Sequence, residues 1–182
     1  YYSAGYDCLA MTDHGTVNYG WTADKTRHTL FTYQWFSHGD VSPLSEQRNL
    51  EITTGVGRNG RGMIDVPLGI ELNGASTKKV HVNSYFANCG DGDMEIDSTW
   101  PESAVVKCQN AGGLCHINHV GEWSGGNDDV NVYDASFVND FASLFLNYSS
   151  CIGMELVNTS DNRTRNDRVL YDKTLQIVAP QG

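Results

Sequence analysis

The chain has 182 residues and a mass of 20.0 kDa, the size of one domain. With 40% hydrophobic and 19% charged residues it can build a core, which excludes a disordered acidic tail. No apolar run approaches the about 18 residues of a membrane helix, and 22 acidic against 12 basic residues give a net charge of −10 that argues against nucleic-acid binding.

The first element, residues 7–12, reads as a strand ending at Asp13-His14-Gly15. The aromatic-rich stretch 26–36 fits a helix or a strand equally, because its periodicity favours neither. Asn59-Gly60-Arg61-Gly62 is a loop signal. Residues 63–72 read as one strand ending at Glu71; Asn73-Gly74 turns the chain, and 80–86 returns as the second strand of a hairpin. Ser98-Thr99-Trp100-Pro101-Glu102 carries helix-start chemistry: a capping hydroxyl, a proline in the first turn and an early acid. That helix is expected to run to Asn110 and stop at Gly112-Gly113. Residues 114–118 form a strand ending at His119. Asp134 opens a second helix with Phe137, Phe141, Leu144 and Phe145 on one face. Residues 152–157 read as a strand and 166–175 as a third helix. This alternation predicts an α/β domain with a largely parallel sheet.

The five cysteines contain no CxxC pair, so a zinc knuckle is not supported. Cys8, Cys115 and Cys151 lie in apolar runs and are expected to be buried free thiols. Cys89, in a Gly/Asp loop, and Cys108, on a helix, are the candidate disulfide if the compartment is oxidising. Asn-x-Ser/Thr sequons at Asn147, Asn158 and Asn162 are candidate glycosylation sites and point to secretion, with the cytoplasm as the alternative location.

Several predicted strands finish on a metal-binding side chain: His14, Glu71 and His119, with His81 on the adjoining hairpin strand. In α/β barrels the C-terminal strand ends meet at one mouth, which would bring these groups together. Imidazoles and a carboxylate suit zinc, iron or manganese. A bridging carboxylate suits two or three ions with a shared hydroxide attacking a phosphoester. Each histidine taken alone also fits a surface or capping role.

In chain order, Ala4-Gly5-Tyr6-Asp7-Cys8-Leu9-Ala10-Met11-Thr12-Asp13-His14-Gly15 resembles the second motif of the PHP (polymerase and histidinol phosphatase) family. Pro67-Leu68-Gly69-Ile70-Glu71 is similar to its Pro-Gly-x-Glu segment with the order slightly altered, and Val80-His81-Val82 to the strand carrying the next histidine. Ala111-Gly112-Gly113-Leu114-Cys115-His116-Ile117-Asn118-His119-Val120-Gly121 resembles the segment that usually ends in His-Pro-Gly. Gly153-Met154-Glu155-Leu156-Val157-Asn158 resembles the late Gly-x-Glu-x-x-Asn strand. The resemblance spans nearly the whole chain and implies a distorted (β/α)7-type barrel, with residues 1–182 as a single PHP-like domain. It implies a divalent-metal cofactor of one to three zinc, iron or manganese ions. Glu71 would bridge two metals, and His81 and His119 would complete the ligands of one of them. His14 would bind a further metal, with Asp13 beside it as an orienting group. Glu71 and His119 would be catalytic, Glu155 would stand near the mouth without binding metal, and His116 is expected to be structural. The implied activity is hydrolysis of a small phosphoester, with metal-bound hydroxide as the nucleophile.

The family's opening strand, ending in His-x-His, and its closing strand, ending in Asp-x-His, are not in this sequence. The expectation is therefore a barrel lacking its first and last strands, a fragment of a longer chain. Glu122 stands where relatives often carry a basic residue, and would repel a phosphate. These departures keep a second function open: a non-catalytic, secreted PHP-like glycoprotein domain whose sheet edges serve homo-oligomer or filament assembly.

Overall fold

The computed structural model describes residues 1–22, 44–73, 80–90, 99, 101–120, 131–158 and 162–181; the stretch 26–36, Gly74, Ser98, Trp100 and Glu122 lie outside the described residues. In chain order the described strands and α-helices are β1 (Cys8–Ala10), α1 (Glu46–Thr54), β2 (Ile64–Val66), β3 (Ile70–Leu72), β4 (His81–Tyr85), α2 (Glu102–Asn110), β5 (Leu114–Asn118), α3 (Ala135–Asn147), β6 (Cys151–Met154) and α4 (Asn162–Val178). The architecture is mixed α/β. A four-stranded sheet has the order β3-β4-β5-β6, and β1 and β2 form a separate parallel pair.

The larger sheet is not the largely parallel one expected. The β3–β4 hairpin and the β4–β5 pairing are antiparallel, and only β5–β6 is parallel. A short connection forces antiparallel pairing on β3 and β4, whereas α3 supplies the longer crossover that a parallel β5–β6 pair needs.

The single strand predicted over 63–72 is two strands in different sheets. Pro67 has no N–H to give to a ladder, and Leu68 sits in the left-handed region at φ 60°, so the chain turns between them. Ile64–Val66 then pairs with β1, and Ile70–Leu72 with β4. Gly69 allows a close approach at this corner, because a Cβ there would collide with the carbonyl oxygen of Met11. Beyond β1 the chain crosses to the larger sheet: His14 bridges Glu71 in the parallel sense, and Asn18 bridges Gly69 in the antiparallel sense. The Asp13 carbonyl accepts from Glu71 N at 3.0 Å, and Gly15 N donates to the Glu71 carbonyl at 2.9 Å.

Helix starts follow local chemistry. Asp134 caps α3 by accepting from Ser136 N at 2.7 Å and Phe137 N at 3.4 Å. At α2 Pro101 stands at the cap position, and the Thr99 carbonyl accepts from Glu102 N at 2.9 Å. α1 was not expected at all. Ser45 accepts from Arg48 N at its start and Gly55 closes it at φ 79°, yet only Ile52 is buried, so no apolar stripe marks it. α4 starts earlier and ends later than the predicted 166–175.

Strand alternation divides the larger sheet into two unlike faces. On one face Ile70, Leu72, Val82, Cys115, Ile117, Cys151 and Met154 share a core with Val105 of α2, Phe137, Phe141 and Leu144 of α3, and Leu170 of α4. The opposite face carries Glu71, His81, Asn83, Tyr85, His116 and Asn118, as the registers Glu71↔Asn83, His81↔Asn118 and Asn83↔His116 require.

The cysteines depart from expectation in two ways. Cys8 is exposed rather than buried, and Cys89 and Cys108 are free thiols rather than a disulfide. Their sulfurs meet instead at the Ser84 hydroxyl, which lies 3.1 Å from Cys89 Sγ and donates to Cys108 Sγ at 3.3 Å. The neighbouring Cys115 thiol and burial push Cys108 up to about 11, which keeps it protonated at neutral pH.

Candidate metal centre

Three segments deliver the site. β3 carries Glu71, β4 begins with His81, and His119 follows the last residue of β5. Glu71 Oε1 accepts from His81 Nδ1 at 2.9 Å and lies 3.2 Å from His119 Nε2; the two nitrogens are 2.9 Å apart. All three side chains are about one-sixth exposed, at 17%.

This triangle tests whether the residues suit a cation. Each imidazole nitrogen holds one hydrogen or one lone pair in the ring plane. No placement of protons therefore satisfies all three contacts, and one pair always faces without a usable hydrogen. A cation resolves the conflict, since it takes a lone pair from each atom. Zinc about 2.0–2.1 Å from each donor would space tetrahedral ligands about 3.4 Å apart, a few tenths of an ångström wider than the contacts here. Among the described residues this is the one group of three metal-ligating side chains whose atoms all lie within 4.8 Å of one another. The three side chains could hold a metal ion.

Electrostatics favour the same conclusion. Burial alone would raise the Glu71 carboxyl, but hydrogen bonds from His119 and His81 and their charge outweigh it and hold the group well below the usual carboxylate range. The carboxylate is thus ionised wherever the domain is folded near neutral pH.

Backbone geometry sets the third ligand. His119 has φ 37°, a left-handed conformation rare outside glycine and asparagine. Glu155, just beyond β6, holds it there: its Oε2 accepts from His119 N at 2.6 Å and lies 3.3 Å from His119 Nδ1. Glu155 N in turn donates to the Ile117 carbonyl at 2.8 Å, continuing the β5–β6 pairing. Glu155 therefore reaches His119 on the ring nitrogen opposite the one facing Glu71. If the triangle binds zinc, Glu155→Ala is expected to weaken that binding about 10–100-fold, read by competition with a chromogenic chelator. Unchanged affinity would reduce Glu155 to a strand-end polar group.

The remaining predicted residues sit around this triangle. The His14 ring stands edge-to-face on His81 at 4.9 Å between centroids, outside the close donor group. Asp13 does not turn to the His14 ring. Its Oδ2 accepts from Asn18 Nδ2 at 2.8 Å, and Asn73 Nδ2 takes the place beside His14, 2.9 Å from Nδ1. His116 Nδ1 lies 3.2 Å from the Tyr85 hydroxyl, and burial pushes its imidazole below the ordinary value. Asn147 and Asn158 are exposed, and Asn162 is the first residue of α4.

Sequence reasoning missed Asn73, Tyr85 and Asn118. The last two share with His81 and His116 the period-two positions of adjoining strands, a signal that was present once the registers were known. No helix among the described residues is long and apolar enough to cross a membrane. Comparison with protein-family profiles, curated proteins and solved structures finds no match for the chain.

Proposed function

We propose that the chain is a metal-dependent hydrolase domain of the PHP-like kind its motifs resemble, acting on a small phosphoester. The observation that carries this reading is the meeting of Glu71, His81 and His119, from three separate segments, in one frustrated triangle of donor atoms. The parallel bridge between His14 and Glu71 adds support, because it brings the first motif alongside the second. A divalent ion held there supplies Lewis acidity and lowers the pKa of a water molecule. The chain's own groups do the rest. Glu71 brings a permanent negative charge, His81 and His119 offer lone pairs, and Glu155 holds His119 in its unusual backbone conformation. His14, fixed by Asn73, stands beside His81 where a second ion or a substrate oxygen would be met.

A barrel closed by further strands is part of this proposal, as are zinc, iron or manganese as the ion. A second reading is a secreted, glycosylated assembly module. It draws on the exposed apolar side chains Ile152 (59%) and Val157 (58%), on and just beyond β6, which ends the four-stranded order, and on the exposed sequon asparagines Asn147 and Asn158.

The deciding experiment loads the protein with zinc, manganese or iron(II) and follows 4-nitrophenol release from 4-nitrophenyl phosphate and bis(4-nitrophenyl) phosphate. Turnover that a chelator abolishes and the ion restores is the expected result. An ion that binds without turnover of either ester would overturn the hydrolase reading and favour the assembly module.

A further inference from the structure

Three buried amide oxygens near the triangle, those of Asn73, Asn83 and Asn118, have no hydrogen-bond partner. Asn118 differs from the other two in touching a donor atom of the triangle itself. It is 5% exposed, lies opposite His81 in the β4–β5 register and immediately precedes His119. Its Nδ2 lies 3.4 Å from Glu71 Oε1, a hydrogen bond near the limit of useful length, while Oδ1 goes unpaired. A buried carboxamide with one weak contact and one orphaned acceptor is poorly satisfied on both sides.

A half-turn of the amide exchanges its oxygen and nitrogen. Facing Glu71, the oxygen would repel the carboxylate unless a cation lay between them. With a cation present, the same carbonyl oxygen becomes a hard neutral donor of the kind divalent ions accept. We propose that Asn118 is a fourth protein ligand of the centre, its Oδ1 turning inward in the place of Nδ2 to meet a bound ion. The ligand set is then two nitrogens and two oxygens, from Glu71, His81, Asn118 and His119. This rests on the reading of the triangle as a metal centre.

The test measures zinc affinity by chelator competition, the visible spectrum of the cobalt(II) form, and melting temperature with and without ion. Asn118→Ala should bind zinc about tenfold or more weakly and shift the cobalt spectrum. Asn118→Asp, nearly identical in shape, should bind more tightly and show a larger ion-induced rise in melting temperature. It should also melt lower without ion, since two carboxylates then face each other. Wild-type affinity and spectrum in Asn118→Ala would overturn the proposal, as would an Asn118→Asp protein that binds no more tightly than wild type. If Asn118→Ala fails to fold, Asn118→Asp decides alone. Wild-type protein that takes up no zinc, cobalt or manganese would remove the metal centre itself, whereas wild-type uptake with indifferent Asn118 variants would remove only this inference.

Discussion

If the proposed centre holds an ion, changing His119 to Ala is expected to release it. Loss of a direct ligand should exceed the about 10–100-fold that loss of an outer partner costs, so metal retained through dialysis should fall from about one equivalent to a trace. Two effects are combined in this substitution, because His119 also holds a left-handed backbone position at φ 37° that alanine tolerates poorly. His119→Asn separates them. Asparagine accepts that conformation more readily, keeps the backbone N–H that Glu155 accepts, and lacks the ring nitrogen that faces Glu71 and His81. Both variants should lose the ion, while the asparagine variant should keep more of the ion-free stability. Elemental mass spectrometry on protein purified without added metal or chelator gives the answer. Metal content equal to wild type in His119→Asn would sink the Glu71–His81–His119 centre.

Phe141→Ala is expected to destabilise the fold by about 3–5 kcal/mol, a large share of the roughly 5–15 kcal/mol typical of a domain. Phe141 is 1% exposed on α3 and packs on Phe137 with ring centroids 5.1 Å apart. Truncation leaves a cavity that two helices and the sheet cannot close without moving. Phe141→Leu, which fills most of that volume, should cost far less, and urea unfolding of the two variants measures the difference. Zinc affinity of the protein that remains folded should not change, because the ring and the metal triangle lie on opposite faces of the sheet. A cost below about 1 kcal/mol for the alanine variant would mean that α3 is not part of the cooperative core.

The strand from 114 to 118 and the helix opened by Asp134 were legible because each has one dominant local signal. For the strand it is period-two alternation between glycines and a polar end. For the helix it is an acidic cap followed by aromatic residues at helical spacing. α1 was invisible because its stability draws on the Ser45 cap, the Gly55 stop and polar contacts such as Arg48 to Glu51 at 2.9 Å, none of which leaves an apolar period. The break at Pro67-Leu68 was missed because residues 63–72 are apolar on both sides of it. Proline was the available warning. At the site, the strand-end residues Glu71, His81 and His119 could be named from sequence, since strand ends and donor chemistry are both local properties. What could not be read was which groups support them. Asn73 beside His14, Asn118 against Glu71 and Glu155 under the His119 backbone depend on register, and register is a relation between strands far apart in the chain.

The grip of Glu155 on His119 gives the triangle a longer reach than its size suggests. Glu71 belongs to β3, His81 to β4, and His119 to the end of β5, and Glu155 ties that end to the segment after β6. A single ion there would fasten β3, β4 and the end of β5 together, joining positions 10 and 38 residues apart in the chain, with Glu155 linking that end to the segment after β6. Binding free energy would then appear as resistance to unzipping, growing with the logarithm of free ion concentration. Depletion of the ion would loosen the sheet's β6 end together with the site, so that access for proteases and loss of chemistry would rise as one event.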